Sequence, residues 1–326
     1  MNEARVIVET GCRLHFGLLS LGKSPGRRFG GVGVMLAAPR LELHVSASEQ
    51  FAVRGEQVAR LEAAAAAFFQ RHAIVERPNC LLELRAALPS HMGLGSGTQT
   101  ALAVAAGLRR WLGMPAGDAA ALATDGGRAQ RSAIGTHGFL LGGLLLDEGR
   151  DDNDDVGLLG GRVAIPEPWH VVLMLPVGEP SGMHGPSESI AFDQLSAVEA
   201  VRRQKLMSIA RKELLPAADL GDFDGFAEAV YQFGYEAGMC FAKLQGGPFA
   251  TKAVAARIEW LRVHGVAGCG QSSWGPGIFA WTPSRTAAED LASRVVCEDA
   301  FRTCDVHIAP ARNQAAGVHR LTETIE

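Results

Sequence analysis

The chain has 326 residues, 47% of them hydrophobic and 20% charged, with a formal net charge of −4. This balance predicts a sizeable buried core and excludes a disordered polypeptide, and the length suits two domains or one large one. It leaves no electrostatic reason to bind nucleic acid or an anionic membrane, and the longest apolar stretch, GFLLGGLLL from Gly138 to Leu146, is too short to span a bilayer.

Read along the chain, Arg5–Thr10 is a strand and LELHVS, Leu41–Ser46, a second one. Between them GKSPGRRFGGVGV reads as a basic hairpin or loop. Gln57–Arg71 is helical, with an alanine run, and CLLELRAA, Cys80–Ala87, alternates as a half-buried strand. That strand leads into LPSHMGLGSGTQTALAVAAGL, Leu88–Leu108, where alternate glycines and a Ser/Thr cluster precede an alanine-rich helix. Ser96, Thr98 and Thr100 are placed to cap or line its first turn, which attracts anions through unpaired amides and the helix dipole. A turn that needs glycine for geometry alone has the same pattern. Gly97–Trp111 is helical and Ala116–Thr124 starts another helix. Gly135–Leu146 is a loop or short helix and then a strand, followed by the acidic turn DEGRDDNDDVG.

A boundary near Pro168 divides the chain into 1–167 and 168–326. WHVVLMLPV, Trp169–Val177, suits a buried strand. Helices fill Leu195–Leu215, Phe223–Leu244 and Phe249–Val263. The glycine-rich GCGQSSWGPG, Gly268–Gly277, is followed by strand IFAW, helix Ala287–Cys297 and strand FRTCDVHIA.

Several chemistries fail on their own requirements. The acidic turn has the 1-3-5 spacing of a calcium loop, but its glycine is one place late and Arg162 stands where a bidentate glutamate is needed. No GxGxxG fingerprint occurs. The six cysteines form no CxxC pair, and Cys12/His15 and Cys304/His307 lack the second pair of a zinc site. With no apolar export signal at MNEARVIVET, the thiols are expected reduced in the cytoplasm. Five lysines stand against 26 arginines, so anion contacts fall to arginine, amides or helix ends. Six glycine-rich segments carrying Arg, His, Ser or Gln remain, and they predict one polar pocket assembled from both domains.

PSHMGLGSGT resembles the phosphate-binding motif, P-x-x-x-G-L-G-S-S-A, of the galactokinase, homoserine kinase, mevalonate kinase and phosphomevalonate kinase (GHMP) superfamily. Pro89, Gly93, Leu94, Gly95 and Ser96 match, and Gly97 replaces the second serine. Arg13-Leu14-His15-Phe16, Gly26-Arg27 with Gly30-Gly31, Arg131 to Gly135, and Gln271 to Pro276 together resemble one branch that is not a kinase. These are the β-ribofuranosylaminobenzene 5′-phosphate synthases of tetrahydromethanopterin biosynthesis and one-carbon metabolism.

The resemblance spans about Thr10 to Pro276. It implies an α+β architecture, with a ribosomal-S5-type N-terminal domain and a ferredoxin-like C-terminal domain, and a homodimer. It implies condensation of phosphoribosyl diphosphate with 4-hydroxybenzoate or 4-aminobenzoate, loss of diphosphate and CO2, and Mg²⁺. Gly93, Leu94, Gly95, Ser96, Gly97 and Thr98 would take the diphosphate. Arg13 and Arg27 would clamp phosphate or aryl carboxylate, and His15 would assist the para substituent. Arg131, Ser132, Gln271, Ser272, Ser273 and Trp274 would contact substrate, Trp274 by stacking. His184 and Glu188 would bind ribose hydroxyls or magnesium, Glu188 as the metal ligand. Two other readings stay open: an ATP-dependent small-molecule kinase of the same superfamily, and a binding protein without catalysis. A kinase would want a serine at 97 and an Asp/Lys pair, for which Asp147, in the acidic turn, and Lys23 are nearest.

Overall fold

Alternating burial of Val6 and Val8, and then of Cys12, Leu14 and Phe16, carries the first strand well beyond Thr10. In a computed structural model that describes residues 3–21, 26–128, 131–179, 198 and 200–323, β1 covers Glu3–Gly17. It pairs antiparallel with β2, Gly31–Ala47, so the glycine-rich connection becomes strand at Gly31. Their register shifts between Gly11 and Cys12, and Gly11 is required there because a Cβ would run into the Leu36 carbonyl. Strands β3 (Ala52–Gly55), β4 (Cys80–Ala86), β5 (Leu144–Asp147) and β6 (Leu159–Val163) extend this sheet. The start of β2 pairs with β5 and its end with β4, which makes β2 the spine of the sheet.

Helices α1 (Val58–Arg71), α2 (Ser96–Trp111) and α4 (Ile134–Leu141) pack on this sheet, and α3 (Ala119–Asp125) packs against these three helices. The small residues of α2 let it lie close on β1 and β2: a Cβ added at Gly107 would be 3.0 Å from Val45 Cγ2 and 3.4 Å from Val8 Cγ2. Asp125, almost wholly buried, ties three helices together. It accepts from Arg109 Nε at 2.6 Å and lies 2.9 Å from His72 Nε2.

The continuous apolar run is β7, His170–Pro176. With β8 (Cys269–Gln271), β9 (Ile278–Thr282) and β10 (Cys304–Pro310) it forms an antiparallel sheet in the order β10-β7-β9-β8, the ferredoxin-like arrangement. Helices α5 (Ala200–Ile209), α6 (Leu215–Leu220), α7 (Phe223–Met239) and α8 (Lys252–Val263) lie between β7 and β8; α9 (Arg285–Val296) links β9 to β10. A π-helical turn at Ala210–Leu214 joins α5 to α6, so the helix expected to end at Leu215 runs on to Leu220. Asp222, Thr251 and Ser284 cap α7, α8 and α9 through their side-chain oxygens. Strand β11, Gly317–Glu323, then returns to the first sheet and pairs with β1. A division at 167/168 therefore parts β11 from its partner. No helix among the described residues is long and apolar enough to cross a membrane.

Candidate active site

A cavity of about 410 Å³ lies where β1, the start of α2, the residues before α4, α7 and the β8–β9 turn meet. That volume suits a ligand of small-molecule size. The first half of the chain supplies Arg13, His15, Thr98, Arg128, Arg131 and Ser132. The second half supplies Phe241, Phe249, Gln271, Ser273 and Trp274. The cationic part of the lining thus comes from the first half, and the second half adds three aromatic rings to Phe16 of β1.

The loop before α2 is held in a shape only glycine adopts easily. Gly93 has φ +75° and Gly95 φ +74°. A Cβ on Gly93 would collide with the Ser272 carbonyl oxygen, and one on Gly95 would be 2.7 Å from Arg13 Cγ. Gly95 is the N-cap of α2 and no side chain caps the turn. This corrects the expected Ser/Thr cap. Ser96 Oγ instead accepts from Arg60 Nη1 at 3.3 Å, Thr100 is buried, and Thr98 lines the cavity. An uncapped first turn keeps amide donors for an anion.

Arginines collect around this turn. Arg13 donates through Nη1 to Gly93 O at 2.9 Å, and its amide donates to Leu94 O at 3.0 Å. The Arg128 guanidinium approaches Gly97, with Nη2 3.5 Å from where a Cβ would sit. Its buried Nε has no hydrogen-bond partner among the described residues. Burial lowers the pKa of both Arg60 and Arg128, and the nearby Arg60 charge lowers that of Arg128 further. No described carboxylate pairs with either, which makes this a place for an external anion. Sequence reasoning missed Arg60 and Arg128, which lie in no motif; the shortage of lysine was the only pointer.

Arg27 goes elsewhere. It donates to Asp154 Oδ2 at 2.6 Å and to Gly149 O at 3.1 Å, so the acidic turn occupies it and it is not part of the cavity lining. The basic pair 27–28 and the acidic run 151–154 pair with each other, Arg28 with Asp152 included.

His15 is 4% exposed and places Nε2 3.0 Å from Ser132 Oγ. Ser132 Oγ in turn donates to Asp147 Oδ2 at 3.2 Å. Burial, with the Arg13 charge beside it, holds the imidazolium pKa of His15 well below the usual histidine value, so the ring is neutral at pH 7. Asp147 ends β5 fully buried and is not part of the solvated turn that follows it in sequence. Burial pushes its carboxyl pKa up, against the opposing pull of the Ala133 and Gly149 amides that donate to it at 2.6 and 2.9 Å.

The β8–β9 turn also departs in part from expectation. Ser272, fully buried, is a clip: its Oγ donates to Gly93 O at 2.7 Å and accepts from the His15 amide at 3.1 Å. Both roles are internal, so this side chain positions the loop and is not a substrate contact. Gln271 lines the cavity, but its amide accepts from Ala250 N at 2.8 Å and donates to Ser273 O at 2.7 Å. Trp274 packs edge-on to Phe241 with ring centroids 4.5 Å apart, and together they form an aromatic wall.

His184 and Glu188 lie outside the described residues. Among those described, the lining offers hydroxyls and guanidinium groups but no carboxylate. Magnesium is normally held by one or two carboxylates together with substrate phosphates. The described lining therefore does not fit a protein-held Mg²⁺.

Comparison with known proteins adds two kinds of likeness. Residues 59–143 match the GHMP kinases N terminal domain and residues 214–300 the GHMP kinases C terminal domain. The chain is 27% identical over 326 residues to a beta-ribofuranosylphenol 5′-phosphate synthase of Archaeoglobus fulgidus, covering 95% of this chain and 98% of that protein. It is 27% identical over 305 residues to the Methanothermobacter thermautotrophicus protein of the same name, covering 86% and 89%. Among solved structures, homoserine kinase from Cytophaga hutchinsonii superposes with a TM-score of 0.68 at 15% identity, covering 98% of each chain. That last likeness speaks for the fold alone.

Proposed function

This chain belongs to the GHMP kinase superfamily, and we propose that it is a pentosyltransferase that makes a β-ribofuranosyl arene 5′-phosphate. In this reading phosphoribosyl diphosphate condenses with 4-hydroxybenzoate or 4-aminobenzoate, and diphosphate and CO2 leave, in the pathway to tetrahydromethanopterin. The names of its relatives support the reaction class. The observation that carries it for this chain is a single cavity with an uncapped glycine turn and arginines from one half and an aromatic wall from the other.

As the C1′–oxygen bond to diphosphate breaks, negative charge grows on the departing group. The amides at the start of α2 and the guanidinium groups of Arg13 and Arg128 stand ready to receive it, with no reorganisation needed during the reaction. The helix terminus alone contributes about 0.3–2 kcal/mol, so the arginines carry most of this stabilisation. Arg131 serves the 5′-phosphate. Phe241 and Trp274 hold the arene with its carboxylate-bearing carbon facing C1′. That carbon needs no base, because loss of CO2 restores aromaticity. Neutral His15 accepts a hydrogen bond from the para substituent and directs electron density to the attacking carbon. Mg²⁺ belongs to this proposal only as the ion that travels with the diphosphate, and no step here depends on it.

The test uses carboxyl-labelled 4-hydroxybenzoate, and 4-aminobenzoate in parallel, with phosphoribosyl diphosphate and Mg²⁺. Labelled CO2 and diphosphate should appear in equal amounts with at least one acid. No gas with either, together with ADP formed from ATP and an alcohol, would move the protein to the kinases of its superfamily.

A further inference from the structure

Ser132, half-buried at the cavity wall, and Asp147, fully buried behind it, stand next to His15 in an arrangement that the reaction above leaves unused. Ser132 Oγ has one proton, and the geometry directs it to Asp147 Oδ2 at 3.2 Å. Its lone pairs then accept from the Ile134 amide at 3.3 Å and from His15 Nε2 at 3.0 Å. This assignment fixes the proton of the neutral ring on Nε2 and leaves a lone pair on Nδ1, which bonds to none of the described residues, on a ring that lines the cavity. Behind Ser132 the Asp147 carboxylate meets amides and a hydroxyl, and among the described residues no cation bonds to it. A carboxylate so placed has a role to explain.

We propose that His15, Ser132 and Asp147 form a relay that borrows the para-hydroxyl proton of the acceptor while the carbon–carbon bond forms, and returns it when CO2 leaves. The inference rests on the acceptor chemistry proposed above. In the forward step the phenolic proton moves to His15 Nδ1, the Nε2 proton to Ser132 Oγ, and the Ser132 proton to Asp147 Oδ2. The phenol oxygen's electrons move into the ring, whose carboxylate-bearing carbon bonds to C1′ as the C1′–diphosphate bond breaks. In the second step the bond to the carboxylate breaks, its electron pair returns to the ring, and CO2 departs. The oxygen then recovers its proton along the same path in reverse. No proton is consumed, and the imidazole never carries a net positive charge beside Arg13. The buried carboxylate, whose proton affinity burial has already raised, is the end of the path. His15 meets the substrate; Ser132 and Asp147 act through it.

The experiment compares wild type with Ser132→Ala, Ser132→Thr and Asp147→Asn on two acceptors. One is 4-hydroxybenzoate; the other is a ring-fluorinated 4-hydroxybenzoate whose phenol is already ionised at the assay pH. With the first, Ser132→Ala and Asp147→Asn should lower kcat by about 10²-fold, within the range for a lost proton-transfer group, with KM little changed. With the second, the ratio of wild-type to variant kcat should fall to about 2 or less, because no proton needs to move. Ser132→Thr keeps the hydroxyl and should recover most of the rate, which separates loss of the relay from loss of the fold. Equal ratios on the two acceptors, or a Thr variant as impaired as Ala, would overturn the relay and leave the transferase reading intact. A wild-type protein that turns over neither of these acceptors would overturn the relay, and the transferase reading would fall with it only if 4-aminobenzoate were not converted either.

Discussion

Arg128→Met is expected to raise the melting temperature of the free protein while lowering kcat/KM for phosphoribosyl diphosphate by about 10²–10³-fold. Both effects have one cause. Arg128 holds a half-buried charge beside the charged Arg60, with its Nε unsatisfied and no described carboxylate to offset it. Methionine keeps much of the aliphatic stem and removes the charge, so the free protein loses a desolvation cost. A gain of about 1 kcal/mol would appear as a rise of roughly 2–4 °C for a domain of this size. The same change removes a donor aimed at the departing diphosphate. Added diphosphate, which should raise the melting temperature of the wild type by binding the folded state, should do so weakly or not at all for the variant. Thermal melts with and without diphosphate, beside steady-state kinetics, read all three effects. A variant that is less stable yet fully active would show that Arg128 is a packing residue.

Gly93→Ala should be the more damaging change to the loop. The left-handed φ of +75° alone costs a non-glycine residue about 1–3 kcal/mol. The added methyl would also meet the Ser272 carbonyl, so the loop or the β8–β9 turn must move. Either movement breaks the bond from Ser272 Oγ to Gly93 O and disturbs the Arg13 bond to the same carbonyl. A shift of about 1 Å in a positioned group can lower turnover by about 10²-fold, and a fall of at least that size in kcat/KM is expected. Urea denaturation should show the midpoint moved to lower concentration. The comparison is Gly127→Ala, at a positive φ with open space around its Cβ, which should cost stability through strain without a clash.

The parts of the site legible in the sequence were those where glycine spacing carries backbone geometry. Arg13 and His15, the turn Gly93–Thr98, Arg131 and Ser132, and the Gln271–Trp274 turn lie far apart in the chain, yet each contributes to one cavity or to the loop that shapes it. Other parts had no local signal. Arg60 lies on an alanine-rich helix and Arg128 after α3, and their meeting at Gly97 and Ser96 is a product of packing. Arg27 follows the same logic in reverse: its charge suits an anion, but the nearest anion is Asp154. Asp147 was masked by the acids after it, since only the pairing of β5 with β2 shows that it ends a buried strand. Ser272 reads as a ligand contact until its two partners, Gly93 O and the His15 amide, are known. Alternation identifies strands well, but not their neighbours; β11 crossing back to β1 is a long-range pairing that no window of sequence contains.

The most direct measurement is a crystal structure of the protein soaked with diphosphate and 4-hydroxybenzoate together. The diphosphate should lie against the amides that open α2, within hydrogen-bond reach of Arg13 and Arg128, with the arene on Phe241 and Trp274 and its hydroxyl on His15 Nδ1. Diphosphate bound away from the Gly93–Thr98 turn, or an arene outside the cavity, would contradict the account.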